Sequence, residues 1–331
     1  MDLGPAFHDH EEDVQMIETV SAAAPKRRKG WTRKEWHYFG LGLLFASPWI
    51  IGFLIFTVYP FFSSLYFSLT EYDLFNPPRW VGMDNYKAIM KDHSFYKSIS
   101  NTLFMAFISV PITLFSSLLI ALLLNFKVKG INYYRTIFYL PAVIPGVASA
   151  LLWTWMLNPD FGLVNIFLRW AHLPDPAWLL DPQFTKPSLI LMGLWGSGAG
   201  ALIFLAALQG VPQTYYEAAQ VDGANWWYRF WKITVPALSP IILFQLIMGL
   251  IGAFQIFTES YILAGGKSNG GSLGGPGQSL LFYAVNLYQE AFINLKMGYA
   301  SALAWILFVI VMLITLLVLK TSKRWVYYGG E

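Results

Sequence analysis

The chain has 331 residues, of which 56% are hydrophobic and only 12% are charged, with a net charge of +3 and no cysteine. Soluble domains carry about 25% charged residues, and the mean hydropathy here is +0.48, so the composition points to a bilayer as solvent. The lack of cysteine excludes disulfides and thiolate metal sites.

Residues 1–35 begin with an acidic stretch, HDHEED, and continue into a basic one, KRRKGWTRKEW, before any apolar segment. A signal peptide has a basic start followed quickly by an apolar stretch, so this order does not predict one. We expect a disordered cytoplasmic tail whose basic run anchors the topology and meets anionic lipid, not nucleic acid. His8 and His10 lie in this solvated tail and do not indicate a metal site.

Six apolar segments follow, each of about the 20 residues or more that a helix needs to cross the hydrocarbon core. Every Lys and Arg lies outside them, and Glu259 is the one acidic residue inside. The sequence therefore predicts an all-α polytopic membrane protein with six transmembrane helices, at about 38–62, 101–124, 136–157, 187–209, 236–264 and 299–319.

The orientation follows from the distribution of Lys and Arg, which are enriched in cytoplasmic loops. Three cation-rich segments, 26–34, 126–135 and 320–324, fall on one side if six spans alternate. The opposite loops mix Asp with their Lys and Arg and show no positive excess. Both termini, and the loop before the fifth span, are therefore predicted to be cytoplasmic.

The remaining loops are predicted to be extracytoplasmic. Residues 66–100 are polar, and 161–180 are expected to start as a short helix. Residues 265–278 are rich in glycine and predict a flexible loop. The apolar spacing in 279–292 favours an amphipathic helix.

The triplet GKS at 266–268 has the end of a phosphate-binding loop, but the glycine required five residues earlier is Tyr261. The sequence also has no Ser/His/Asp arrangement and no metal-spaced His cluster. We therefore predict neither an enzyme nor a cofactor or metal site in this chain.

The loop before the fifth span reads TYYEAAQVDGANWWYRFWKITVPALSP at 214–240. Thr214 and Glu217 have the spacing of a capping box, and Gly223 tolerates the left-handed turn that ends a helix. Asn225 is expected to cap a second short helix, after which Pro236 opens the fifth span. The pattern predicts a rigid, polar helix-turn-helix held against the membrane by Trp and Phe.

The same loop resembles the signature loop of the permease subunits of bacterial ABC importers. The resemblance is carried by E-A-A-x-x-D-G-A at 217–224, followed by Phe230, Ile233, Pro236 and Pro240. Further matches resemble the maltose-type sugar permeases of the carbohydrate uptake family: NTL at 101–103, ALLLN at 121–125, YRTIFYLPAVIP at 134–145, GGPGQS at 274–279 and GYASA at 298–302.

The resemblance implies a transmembrane domain at 36–325 between cytoplasmic tails at 1–35 and 326–331, in the bacterial cytoplasmic (inner) membrane. It also implies that a coupling helix within the loop 212–235 docks on a separate ATPase subunit. The residues that would make this contact are Glu217, Ala218, Ala219, Asp222 and Gly223.

The implied partners are a second, related permease, two ATP-binding subunits and an extracytoplasmic solute-binding protein, with a carbohydrate as substrate. The family usually pairs two different permeases, and pairing with a second copy of this chain stays open.

An uncharged sugar needs hydrogen-bonding side chains and aromatic faces along its path. Gln255 and Glu259 in the fifth span are the preferred candidates for lining it, and Trp195 and Tyr261 are weaker ones. An acid at membrane depth is costly and usually functional, although Glu259 lies near the end of its span, where a structural role is equally compatible. For Trp195 the alternative is ordinary packing.

A second class of function is a self-sufficient secondary carrier driven by protons or sodium. Such a carrier needs intramembrane carboxylates or paired charges, and only Glu259 is available. It also has no use for a docking loop.

Overall fold

The computed structural model describes residues 32–126, 128–265 and 273–327. The chain divides into two compact units, residues 1–62 and 63–331. The predictions for the tail up to residue 31, for the glycine-rich segment 266–272 and for 328–331 lie outside the described residues.

Residues 33–68, which include the end of the first unit, are helical. Helix α1 (Arg33–Phe53) is followed by a π-helical turn and by α2 (Tyr59–Ser68), and the whole is long and apolar enough to cross a membrane. The helix begins at a capping box in which the Glu35 amide donates to the Thr32 hydroxyl and the Glu35 carboxylate accepts from the Thr32 amide. The predicted tail is therefore already helical over its last three residues.

The described residues of the second unit form helices and one short antiparallel pair, in which Thr70 lies opposite Trp80 and Glu71 opposite Arg79. Its elements are β1 (Thr70–Glu71), β2 (Arg79–Trp80), α3 (Asp84–Ile89), α4 (His93–Phe104), α5 (Val110–Leu124), α6 (Ile131–Val143), α7 (Gly146–Met156), α8 (Leu163–Trp170), α9 (Pro182–Trp195), α10 (Gly198–Gln209), α11 (Gln213–Val221), α12 (Trp226–Arg229), α13 (Val235–Phe254), α14 (Thr258–Leu263), α15 (Tyr283–Tyr288) and α16 (Met297–Ser322). Three π-helical turns join α4 to α5, α12 to α13, and α15 to the loop before α16; they are Met105–Ser109, Phe230–Thr234 and Gln289–Ile293.

Four helices in the described residues are long and apolar enough to cross a membrane, or up to six if each bent pair is one span. The bent pairs are α6 with α7, at 98°, and α9 with α10, at 45°. The predicted span 187–209 is therefore bent rather than straight, and the predicted span 136–157 is divided into two helices. The break falls at Ile144, because a residue before proline is pushed into the extended region, and Ile144 has φ −70° and ψ 128°.

The fifth predicted span also differs from the structure. A continuous helix runs from Trp226 to Phe254, and a short break separates it from α14. The prediction of one helix over 236–264 is therefore wrong at both ends.

Two predicted loop helices are present. The first is α8. The second, α15, is not a surface helix: Tyr283, Val285 and Asn286 are buried. The Asn101 side chain holds the preceding segment by donating to the carbonyls of Gln278 and Leu281 at 2.8 and 2.9 Å.

The start of α10 lies against two neighbouring helices. A Cβ on Gly198 would overlap the carbonyl group of Phe138 in α6, and the Ser117 hydroxyl of α5 donates to the Ser197 carbonyl at 2.9 Å. Ala201 and Phe204, one turn further along, are fully buried. The bend between α9 and α10 is therefore held by backbone contact that only glycine allows.

Gly198→Ala is expected to lower the melting temperature of the detergent-solubilised protein, because overpacking a tight core costs about 1–3 kcal/mol. The matched control is Gly252→Ala, since a Cβ at Gly252 meets nothing within 4 Å. Equal melting temperatures for the two variants would contradict the close contact.

Candidate functional site

Helix α11 projects from the bundle: none of its residues is buried. It begins at Gln213, with Pro212 in the capping position and no side-chain cap. The predicted capping box of Thr214 and Glu217 is therefore wrong. Thr214 lies two residues past the capping position, because the fixed φ of Pro212 already sets the entry of the chain.

The end of α11 agrees with the prediction. Gly223 has φ +75°, its amide donates to the Gln220 carbonyl at 3.1 Å, and the Ala224 amide donates to the Ala219 carbonyl at 2.9 Å. These two bonds form the Schellman arrangement that ends helices at a left-handed residue. The predicted turn at Gly223 is confirmed.

The next helix is capped as predicted, since the Asn225 side chain accepts the Tyr228 amide at 2.8 Å. From Trp226 the chain stays helical for 29 residues, through the π-turn Phe230–Thr234, to Phe254. Pro236 does not open a new helix, contrary to the prediction. The wider π-turn just before it relieves the clash that a proline ring makes with a regular preceding turn.

An aromatic group covers the start of this long helix. The rings of Trp226 and Phe230 stack at 5.6 Å, and Trp227 meets Trp231 edge-on at 5.8 Å. The three Trp side chains are exposed, while Phe230 packs against the buried cluster formed by α5, α10 and α13. Trp at such a position suits the membrane interface.

The second candidate site is a cavity of about 610 Å³. The three helix breaks of the second unit border it, through Ile144, Gly196 and the segment from Gln255 to Phe257. A further cavity of about 500 Å³ shares the lining residues Ser109, Gly196 and Ile256. Irregular backbone at membrane depth is tolerated where it lines a cavity, which fits these breaks.

Three of the four predicted path residues line the larger cavity: Trp195, Gln255 and Glu259. Trp195 also meets the buried Trp153 edge-on, with 5.9 Å between the ring centroids. Its side chain therefore packs against a neighbouring ring and also lines the cavity. Tyr261 is not part of this lining; its ring contacts Phe257 at 5.4 Å and Tyr288 at 5.7 Å.

Hydroxyl and amide groups outside the preferred candidates complete the lining. Ser109, Ser149 and Thr258 border the larger cavity. Gln245 lines the smaller one and donates to the Gly200 carbonyl at 3.1 Å. The sequence feature that could have identified the serine and threonine residues is an isolated hydroxyl side chain within an apolar helix.

The cavity is nearly free of charge. Its one ionisable lining residue is Glu259, which takes part in none of the four ion pairs found in the described ranges. Those ranges also hold no group of three or more His, Asp or Glu able to bind a metal ion. The arrangement can hydrogen-bond a polar, uncharged solute and stack on it.

Comparison with known proteins gives one family. Residues 86–326 match the profile of the binding-protein-dependent transport system inner membrane component family.

Among curated proteins, the chain is 45% identical to the probable ABC transporter permease protein YesP of Bacillus subtilis, over 88% of this chain and 93% of that one. It is 32% identical to the trehalose/maltose transport system permease protein MalF of Thermococcus litoralis, over 86% and 94%. It is 30% identical to the arabinooligosaccharides transport system permease protein AraP of B. subtilis, over 92% and 95%.

Among solved structures, it is similar to a bacterial ABC transporter involved in the import of the acidic polysaccharide alginate. The TM-score is 0.73 and the identity 26%, over 88% of this chain and 96% of that one. That transporter has also been solved in complex with its alginate-bound periplasmic protein.

Asn225→Ala is expected to cost about 1 kcal/mol of local stability, as for other lost N-caps, and to speed amide hydrogen exchange in residues 226–229 several-fold. Asn225→Asp keeps the accepting oxygen and is expected to exchange like the parent protein. Equal exchange in both variants would show that the cap does not hold this helix.

Proposed function

The chain belongs to the family of inner-membrane components of binding-protein-dependent transport systems, and on this premise we propose that it forms half of the translocation path of an ATP-driven carbohydrate importer. Its partners are a second, related permease, two ATP-binding subunits and an extracytoplasmic solute-binding protein. The chain itself is not an enzyme; ATP is hydrolysed on the separate subunits.

A carbohydrate is favoured by both the relatives and the cavity. Two relatives are named for the transport of trehalose/maltose and arabinooligosaccharides, and the similar solved structure imports a polysaccharide. The cavity offers what a sugar requires, namely hydroxyl and amide groups such as Ser149 and Gln255 beside the ring of Trp195. Oligosaccharides and glycosides are the proposed substrate class.

The proposed topology counts each bent pair as one span, which gives six spans within a transmembrane domain at 36–325. Both termini and the 212–235 loop then lie on the cytoplasmic side. The cation-rich segments support this orientation, because they fall on that same side.

The coupling role of the 212–235 loop rests on one observation above the others. The exposed helix α11 is followed, after one turn, by a helix of 29 residues, which at 1.5 Å per residue spans roughly 43 Å and ends at Gln255 on the cavity. A displacement of α11 by an ATPase subunit would therefore reach the solute path through one continuous helix. Glu217, Ala218, Ala219, Asp222 and Gly223 are the proposed docking residues.

The transport cycle is then one of alternating access. The binding protein delivers sugar to the outer face, and ATP binding closes the two ATPase subunits. Their closure moves the coupling helices of the two permeases together and opens the cavity outward. Hydrolysis and release of the products return the cavity to the inward-open state.

Gly223→Pro is expected to abolish co-purification of the ATPase subunits with the tagged chain, because proline cannot adopt φ +75° and the docking helix loses its end. Glu217→Ala, which removes a proposed docking side chain, is expected to weaken it at least ten-fold. Gln213→Ala, at the exposed start of α11, serves as the control. Undiminished ATPase binding by Gly223→Pro would overturn the docking assignment.

Gln255→Ala is expected to reduce uptake at least ten-fold without lowering ATPase binding, because a sugar hydroxyl that pairs with this cavity-lining amide is left unpaired when the amide is removed. Uptake is measured with the saccharide that the co-purified binding protein retains in a glycan screen. Glu259→Gln, which keeps hydrogen-bonding capacity, is expected to be milder.

The same assay distinguishes the ion-coupled carrier. Uptake that continues after deletion of the ATPase subunits and stops with a protonophore or with Glu259→Gln would contradict the importer.

A further inference from the structure

Helix α11 touches the body of the protein on one side only. Within α11, Tyr216 and Ala219 are half-buried, and the other residues are exposed. The two lie three residues apart and therefore share one face of the helix. This face is turned towards the protein, and a displacement of α11 would reach the rest of the chain through it.

A single hydrogen bond between side chains lies on that face. The Tyr216 hydroxyl and the Thr234 hydroxyl are 3.0 Å apart. Thr234 is 6% exposed, and its hydroxyl is also 3.5 Å from the Arg229 carbonyl. Donation from Tyr216 to Thr234, and from Thr234 to Arg229, uses each hydroxyl hydrogen once.

Thr234 is the last residue of the π-turn Phe230–Thr234 in the long helix. In this turn the Val235 amide donates to the Phe230 carbonyl. π-turns often mark functional sites in helices, and this one carries an extra residue just where α12 becomes α13. A turn of that kind offers a point at which the helix can bend.

We propose that Tyr216 and Thr234 are positioning residues that bind α11 to the π-turn, so that the docking helix and the transmembrane helix move as one body. Without this bond the side-chain link between the two elements is lost, and the long helix can bend at the π-turn independently of α11. Part of the motion imposed on α11 is then lost before it reaches the cavity. The inference rests on the proposed coupling role of α11 and specifies how its motion is passed on.

The test measures the distance between spin labels on Val221→Cys, at the exposed end of α11, and Met248→Cys, beyond the π-turn in α13. The chain contains no cysteine, and the partner subunits are prepared without it. Distances are recorded for the assembled transporter, nucleotide-free and trapped with ADP and vanadate. The parent protein is expected to give one narrow distribution that is the same in both states.

Tyr216→Phe and Thr234→Val each remove the bond with little change in shape. Both are expected to add a second, detached population in the trapped state, about five-fold larger than in the parent protein, the factor that corresponds to one ordinary net hydrogen bond. The double variant should be no worse than either single variant, because both remove the same interaction.

Thr234→Ser retains the hydroxyl and is expected to restore the narrow distribution, which a purely steric role for the methyl group would not allow. Tyr215→Phe, on the exposed neighbour, is the matched control. Distributions in Tyr216→Phe and Thr234→Val identical to the parent, or a Thr234→Ser distribution as broad as that of Thr234→Val, would overturn the proposal.

Failure of the proposed function gives a different result. If ATPase subunits do not bind the parent chain at 212–235, the docking assignment fails. The same distances, recorded on the chain purified without ATPase subunits, still decide whether the hydroxyl pair fastens α11 to the π-turn. Tyr216→Phe and Thr234→Val are expected to show the second population there too, and distributions identical to the parent would overturn the proposal.

Discussion

The bilayer imposes the constraint on which the rest of this structure depends: in hydrocarbon a backbone amide or carbonyl has no water to bond and must be paired within the protein. Helices satisfy this requirement over most of the second unit. The interruptions at Ile144, at Gly196 and between Gln255 and Phe257 do not lie at random, because all three border one cavity. Polar backbone is therefore concentrated where a solute would pass, together with the few hydroxyl and amide side chains of the apolar helices.

The same constraint gives the 212–235 segment its character. Outside the hydrocarbon, water can pair with the polar backbone of a turn, so exposing that backbone costs little free energy. The segment can therefore be compact and exposed. A Schellman turn, an asparagine cap and the Tyr216–Thr234 pair fix its conformation. Trp and Phe side chains fasten it at the start of the long helix. Stiffness in the segment and continuity in the helix are both needed if motion at one end is to reach the other.

Sequence patterns predicted the features that depend on local chemistry. The helical class, the left-handed turn at Gly223 and the cap at Asn225 follow from hydropathy and from single residue types. The capping box at Thr214 was wrong because Pro212 caps the helix instead, so the helix starts two residues earlier than predicted. The bend at Ile144 was missed although Pro145 signalled it, because the apolar pattern continues through the break.

The cavity was less accessible to prediction. Trp195, Gln255 and Glu259 were chosen for their chemistry, and their convergence depends on packing between α7, α9 and the end of α13 that no local pattern encodes. Tyr261 has equally suitable chemistry, yet it packs against Phe257 and Tyr288. Helix packing, and not residue type, decides which of these side chains line the cavity and which pack against neighbouring rings.

In the proposed mechanism, the 212–235 segment carries motion from an ATPase subunit to the cavity. A cryo-EM structure of the assembled transporter, solved without nucleotide and with ATP trapped, would show this motion. We expect α11 to sit in a cleft of the ATPase subunit in both states, and α11 and α13 to shift together as the cavity changes the side to which it opens. A cavity that changes sides while α11 contacts no ATPase subunit would contradict this mechanism.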